Sequence, residues 1–150
     1  MTSASPAGGA SDPARRLVVA FDGSAPATRA LGFALRLAGR TGGRIWAVHI
    51  VGAPAAIAEP RTEEEQRTEP DAIASALRAV QATAAKDGVA LEVLVLEGNA
   101  AEAILATARK VEADLIVVGT RGLRGASRFF LGSVSAAVLA GAGRPVVVVP

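Results

Sequence analysis

Between Gly119 and Ser135 the chain reads Gly119-Thr120-Arg121-Gly122-Leu123-Arg124-Gly125-Ala126-Ser127-Arg128-Phe129-Phe130-Leu131-Gly132-Ser133-Val134-Ser135, with four glycines, three arginines and no acidic residue. Glycine lets backbone N–H groups turn toward a ligand and approach it closely. A helix opening at Gly132 would bring its first N–H groups and the positive end of its dipole to the same place. Together these make a phosphate cradle, with Ser133 and Ser135 as hydroxyl donors and Arg121, Arg124 and Arg128 as counter-charges. Arg121 is the best placed of the three, since it lies inside the Gly119 to Gly122 turn. The same stretch also reads as an ordinary turn with solvated arginines. It contains no Gly-Lys-Ser/Thr, so it is not a Walker loop, and its glycine spacing is not that of the dinucleotide fingerprint.

Other chemistry-bearing residues are few. Asp22, in Asp22-Gly23-Ser24, either contacts a ligand or shapes the turn, and Ser24 reads as a helix cap. His49, the one histidine, sits in an apolar run and reads as a packed core imidazole. With no cysteine, disulfides, thiolate metal sites and cysteine nucleophiles are excluded, and a lone histidine excludes polyhistidine sites. Net charge is +2 and aromatic content 3%, a weak footing for nucleic-acid binding, which is not expected. Every apolar run is interrupted well before the ~18 residues that suggest a membrane span, so no membrane insertion is expected and the cytoplasm is the expected location.

The elements that must position these residues alternate regularly. Residues 1–14, rich in Ala, Gly, Ser and Pro, read as a flexible leader, and residues 15–150 as a single domain. Apolar runs at 16–22, 44–51, 89–96, 114–119 and 146–149 read as strands buried on both faces. Helical spacing marks 25–40, 71–86, 100–111 and 132–142. On this reading Ala27, Ala30, Leu31, Ala34, Leu35, Leu37 and Ala38 form the buried stripe of the first helix, and Ile73, Ala76, Leu77, Val80 and Ala84 that of the second. Gly42-Gly43 stops the first helix, Pro70 fits a first turn of the second, and Asn99 with Glu102 caps the third. Residues 52–68, including Glu63-Glu64-Glu65, read as an exposed loop, with a short mobile helix within it as the alternative. The alternation predicts a three-layer α/β fold, a Rossmann-like sandwich of four helices on a five-stranded parallel sheet. Strand orders 3-2-1-4-5 and 2-1-3-4-5 both satisfy it. In the first, the crevice at the switch point lies between strands one and four, beside Asp22 and Gly119.

Gly119-x-x-Gly122, nine residues, then Gly132-Ser133 resembles the nucleotide-binding pattern of the universal stress protein family. Leu131-Gly132-Ser133-Val134-Ser135 is similar to the family's most recognisable stretch. The likeness extends to Val19-Ala20-Phe21-Asp22-Gly23-Ser24, to Val48-His49-Ile50, to the run from Ala113 to Gly119 and to the one from Arg144 to Val149. Only the leader and the 52–70 loop fall outside it. The resemblance implies the order 3-2-1-4-5 and, in the subgroup that keeps these glycines, ATP as ligand, with AMP or ADP as alternatives and magnesium as companion. Carried over by position, Ala20 and Ile50 flank the adenine and Asp22 bonds the ribose or base edge. Gly119, Thr120, Arg121, Gly122, Leu123, Arg124 and Gly125 wrap ribose and phosphates, and Gly132, Ser133, Val134 and Ser135 hold the phosphates. Ala20 departs from relatives that carry proline there, a loss of backbone rigidity that bears on affinity.

The resemblance thus implies an ATP-binding stress-response or regulatory module, acting on an unidentified protein partner. A nucleotide-free dimeric interaction protein and a weak ATPase or other ATP-processing enzyme are the alternatives; with no spare Lys, Cys or His near the cradle, no catalytic residue is assigned. A valine-only strand, Val146–Val149, at a sheet edge predicts a homodimer that covers it.

Overall fold

The computed structural model describes residues 14–51, 63–120 and 131–150. The elements are β1 (Arg16–Ala20), α1 (Ala25–Thr41), β2 (Arg44–Val51), α2 (Glu63–Lys86), β3 (Ala90–Glu97), α3 (Ala100–Lys110), β4 (Leu115–Gly119), α4 (Ser133–Gly141) and β5 (Val146–Val149). All strand pairs are parallel and the order is β3-β2-β1-β4-β5, which places the topological switch between β1 and β4.

Each central strand sends alternate residues to opposite faces, and both faces are covered. Leu17, Val19, Ile45, Ala47 and Val117 pack beneath α1 and α2 with Ala30, Leu31, Ala34 and Leu77. Val18, Val48, Ile116 and Val118 pack beneath α3 and α4 with Ile104, Ala108 and Val138. A strand buried on both sides favours apolar residues on both faces, which is why these runs show no polar alternation, with His49 a buried polar exception in β2.

Helix termini obey local rules. Ser24 Oγ accepts from the Ala27 N–H at 3.3 Å, and Asn99 Oδ1 from the Glu102 N–H at 3.0 Å. Gly42 closes α1 in the left-handed region at φ 66°. At the N-terminal end of the sheet, Asp114 accepts from the backbone N–H of Arg16 at 2.8 Å and from its guanidinium Nη2 at 3.1 Å. That guanidinium holds the Asp114 carboxyl below its ordinary range, and the charged pair ties the start of β1 to the start of β4.

Beyond shifts of one or two residues at element ends, the structure corrects the sequence reading at three points. The helix expected over 71–86 begins at Glu63, so the glutamates read as loop form its first turn and Pro70 lies in its interior. Acidic residues suit a helix N terminus, and here helix formation overrides the boundary that proline suggests. Ala74 is buried in α2 where Ala76 was expected. Ala14, assigned to the leader, accepts from Thr41 Oγ1 at 3.1 Å and packs against the core. Residues 1–13 and 52–62 lie outside the described residues.

Candidate functional site

Strands β1 and β4 are neighbours, with Val19 opposite Val117, so the chain leaving β1 at Phe21-Asp22 and that leaving β4 at Gly119-Thr120 emerge side by side. In a doubly wound sheet this is where the two directions of winding open a crevice. Asp22 is exposed there, and its Oδ1 accepts from the Ser24 N–H at 2.9 Å. It therefore shapes the turn, while its side chain remains in contact with solvent. Ala20 and Ile50 are both half-buried and pack on the α3/α4 face at the same end of the sheet. They lie on neighbouring strands, Ala20 opposite Val48 and Ile50 two residues further along β2.

Gly119 is explained by packing. A Cβ at this position would stand 2.6 Å from the Pro26 carbonyl carbon, 2.7 Å from the Ala27 nitrogen and 2.8 Å from Pro26 Cβ. Only a residue without a side chain lets the first turn of α1 rest on the end of β4. The Gly119 carbonyl in turn accepts from Ser135 Oγ at 2.7 Å, a bond that pins the first turn of α4 to the same point. Gly119 is therefore the junction of two helix N termini and a strand end. The Thr120 N–H donates to the Val149 carbonyl at 2.8 Å, which ties the start of the glycine segment to β5.

Helix α4 differs from α1 and α3 in its cap. Its N-cap is Gly132, in extended backbone, a residue with no side chain to bond the first turn. The first bond from α4 back to its cap residue runs from the Ala136 N–H to the Gly132 carbonyl at 3.0 Å, and the N–H groups of Ser133, Val134 and Ser135 precede it. Ser133 is exposed and Val134 half-buried; Ser135 is buried, with its hydroxyl proton directed at Gly119. What Ser135 has to offer an anion is thus its main-chain N–H. Arg121, Gly122, Leu123, Arg124 and Gly125 lie outside the described residues.

Local sequence carried no signal for the Ser135 bond or for the α1 contact at Gly119, since each spans a long chain separation. Among the described residues no group of three or more His, Cys, Asp or Glu side chains could hold a metal ion, and no helix is long and apolar enough to cross a membrane.

Residues 13–150 match the model of the universal stress protein family. The chain belongs to that family. A universal stress protein of Thermus aquaticus is 39% identical over 137 residues, covering 90% of this chain and 98% of that relative. Among solved structures, the universal stress protein UspA from Lactobacillus plantarum has a TM-score of 0.76 and 25% identity, covering 91% of this chain and 98% of its own. The universal stress protein from Archaeoglobus fulgidus in complex with dAMP has a TM-score of 0.65 and 28% identity, covering 90% and 97%. The strand order 3-2-1-4-5 that the family likeness implied is the order observed.

Proposed function

We propose that this domain binds an adenine nucleotide, ATP with magnesium, over the C-terminal ends of β1 and β4, and that it acts as a regulatory module of the stress response whose interaction with a protein partner depends on the bound nucleotide. The observation that carries this reading is the N terminus of α4, where Gly132 offers no side-chain cap, at the topological switch near exposed Asp22 and with Ala20 and Ile50 on one face at the same end of the sheet. Unsatisfied N–H groups and a helix dipole at such a point favour phosphate. The dAMP complex of the Archaeoglobus fulgidus relative supports an adenine nucleotide as the ligand class. In this reading Ala20 and Ile50 flank the base and Asp22 meets the ribose or base edge. The segment from Gly119 to Gly125 wraps ribose and phosphates, and the N–H groups of Ser133, Val134 and Ser135 hold the terminal phosphates. Magnesium would arrive on the phosphates themselves. Isothermal titration of the purified protein with ATP and magnesium tests the reading: saturable binding is expected, weakened by Asp22→Ala and abolished by Gly122→Val. Absence of any binding at millimolar nucleotide would refute it.

We also propose a symmetric homodimer through β5. Val146–Val149 forms one edge of the sheet, and Leu139 on the preceding helix is about half exposed at 49%. Antiparallel pairing of two β5 strands would satisfy the open edge and cover its valines. Sedimentation velocity at micromolar concentration should give a dimer of about twice the monomer mass, and Val148→Lys should give a monomer. A wild-type monomer would contradict the assembly.

A further inference from the structure

His49 is 5% exposed, lies in β2 and contributes no group to the nucleotide site just proposed. Its Nδ1 stands 3.0 Å from the Phe21 carbonyl oxygen. A carbonyl only accepts, so the ring proton is on Nδ1 and Nδ1–H is the donor. Its Nε2 is buried with no hydrogen-bond partner among the described residues. Packing alone would be served better by leucine, which fills a similar space without an unsatisfied polar atom. The physical use of an imidazole here is therefore the bond to Phe21.

That bond falls at a sensitive place. The paired run of β1 ends at Ala20, opposite Val48, while β2 continues to Val51. The Phe21 N–H still donates to the Val48 carbonyl at 2.9 Å, and the Phe21 carbonyl is held by the His49 ring. This carbonyl belongs to the peptide unit that joins Phe21 to Asp22. Peptide planarity makes the whole unit rigid, so fixing its oxygen fixes the direction of the Asp22 N–H and the position of the Asp22 Cα. From there the Asx turn, Asp22 Oδ1 to the Ser24 N–H at 2.9 Å, carries the constraint to the cap of α1.

We infer that His49 is a positioning residue for nucleotide binding: its Nδ1–H clamps the Phe21-Asp22 peptide and so sets the aim of Asp22 in the crevice. The inference rests on the nucleotide reading and adds to it a residue that does not touch the ligand.

The experiment compares the full-length wild type with His49→Asn, His49→Gln and His49→Leu. An Asn amide places a donor near the Nδ1 position, Gln places it near Nε2, and Leu removes it. ATP affinity is read by titration calorimetry, folding by thermal melting, and the turn itself by hydrogen exchange of the Ser24 amide in the nucleotide-free protein. The expected result is an about tenfold loss of ATP affinity and about tenfold faster Ser24 exchange in His49→Leu and His49→Gln, at melting temperatures that do not track the loss. His49→Asn should stay within about threefold of wild type on both measures. Unchanged affinity in His49→Leu overturns the inference, as does equal affinity in the Asn and Gln variants, a contrast that still decides should the Leu variant fail to fold. Failure of the wild type itself to bind ATP overturns the nucleotide reading and this inference with it, an outcome distinct from binding that ignores residue 49.

Discussion

Gly119→Ala should melt several degrees below wild type and bind ATP more weakly. Gly119 is not among the residues with positive φ, so alanine meets no backbone objection there, and the whole effect is steric. The added methyl would lie 2.6 to 2.8 Å from three atoms of Pro26 and Ala27, two of them main chain and the third a proline Cβ. None is the free end of a flexible side chain, so the clash is relieved only by moving the first turn of α1 off β4. Overpacking of this kind costs about 2 kcal/mol, on the order of 4–8 °C for a domain of this size. The displaced turn carries Ser24 and, through the Asx turn, Asp22, while the carbonyl of residue 119 anchors α4 through Ser135. Stability and ATP affinity should therefore fall together, read by differential scanning calorimetry and by titration at 25 °C. A variant that melts within a degree of wild type would show that α1 absorbs the methyl and that packing is not why residue 119 is glycine.

The contacts around Gly119 also mark where sequence reading stops. The strands were legible because burial on both faces leaves a continuous apolar run, as in Leu115 to Val118. The caps at Ser24 and Asn99 were legible because each bond joins residues three apart, within one turn. Residue pattern alone left two strand orders open, since pairing β1 with β4 joins residues about a hundred positions apart; family likeness chose between them. The start of α2 was misplaced because Pro70 is compatible locally with a first turn, and only the continued helix shows that it is interior. Ala74 and Ala76 exchanged roles because alanine carries almost no polarity signal. At the site, the positions of Asp22 and Gly119 at one sheet end followed from topology. The division of labour did not: whether a serine offers its hydroxyl or its N–H depends on what the hydroxyl already meets, and for Ser135 that is a carbonyl sixteen residues earlier.

Arg144→Met, at the other end of the sheet, should produce the larger loss of stability with no loss of ATP affinity. From sequence Arg144 is merely the residue before Pro145 and the last strand. In the fold its Nη1 donates to the Ala108 and Ala113 carbonyls, both at 2.8 Å, and its Nε to the Ala142 carbonyl at 3.2 Å. One guanidinium thus joins the last turn of α3, the entry to β4 and the end of α4, where helix carbonyls lack partners from their own helix. Ala108 keeps a second donor, the Ala113 N–H at 2.8 Å, so the group left most exposed to the loss is the carbonyl of Ala113, a buried residue. Methionine preserves the aliphatic stem and removes the donors, which isolates the polar contribution. Hydrogen bonds from a charged donor are worth about 1.5–3 kcal/mol each, and with Ala108 still partnered the expected total is about 3 kcal/mol, roughly 6–12 °C in Tm. Because Arg144 precedes β5 at the end of the sheet opposite the crevice, the folded fraction at 25 °C should bind ATP as wild type does. The pair of variants separates two causes that a single mutant would confound. Gly119→Ala lowers stability and affinity together through shared geometry, whereas Arg144→Met lowers stability alone. A comparable affinity loss in Arg144→Met would mean that nucleotide binding follows global stability, and the local account of the β1/β4 crevice would fail.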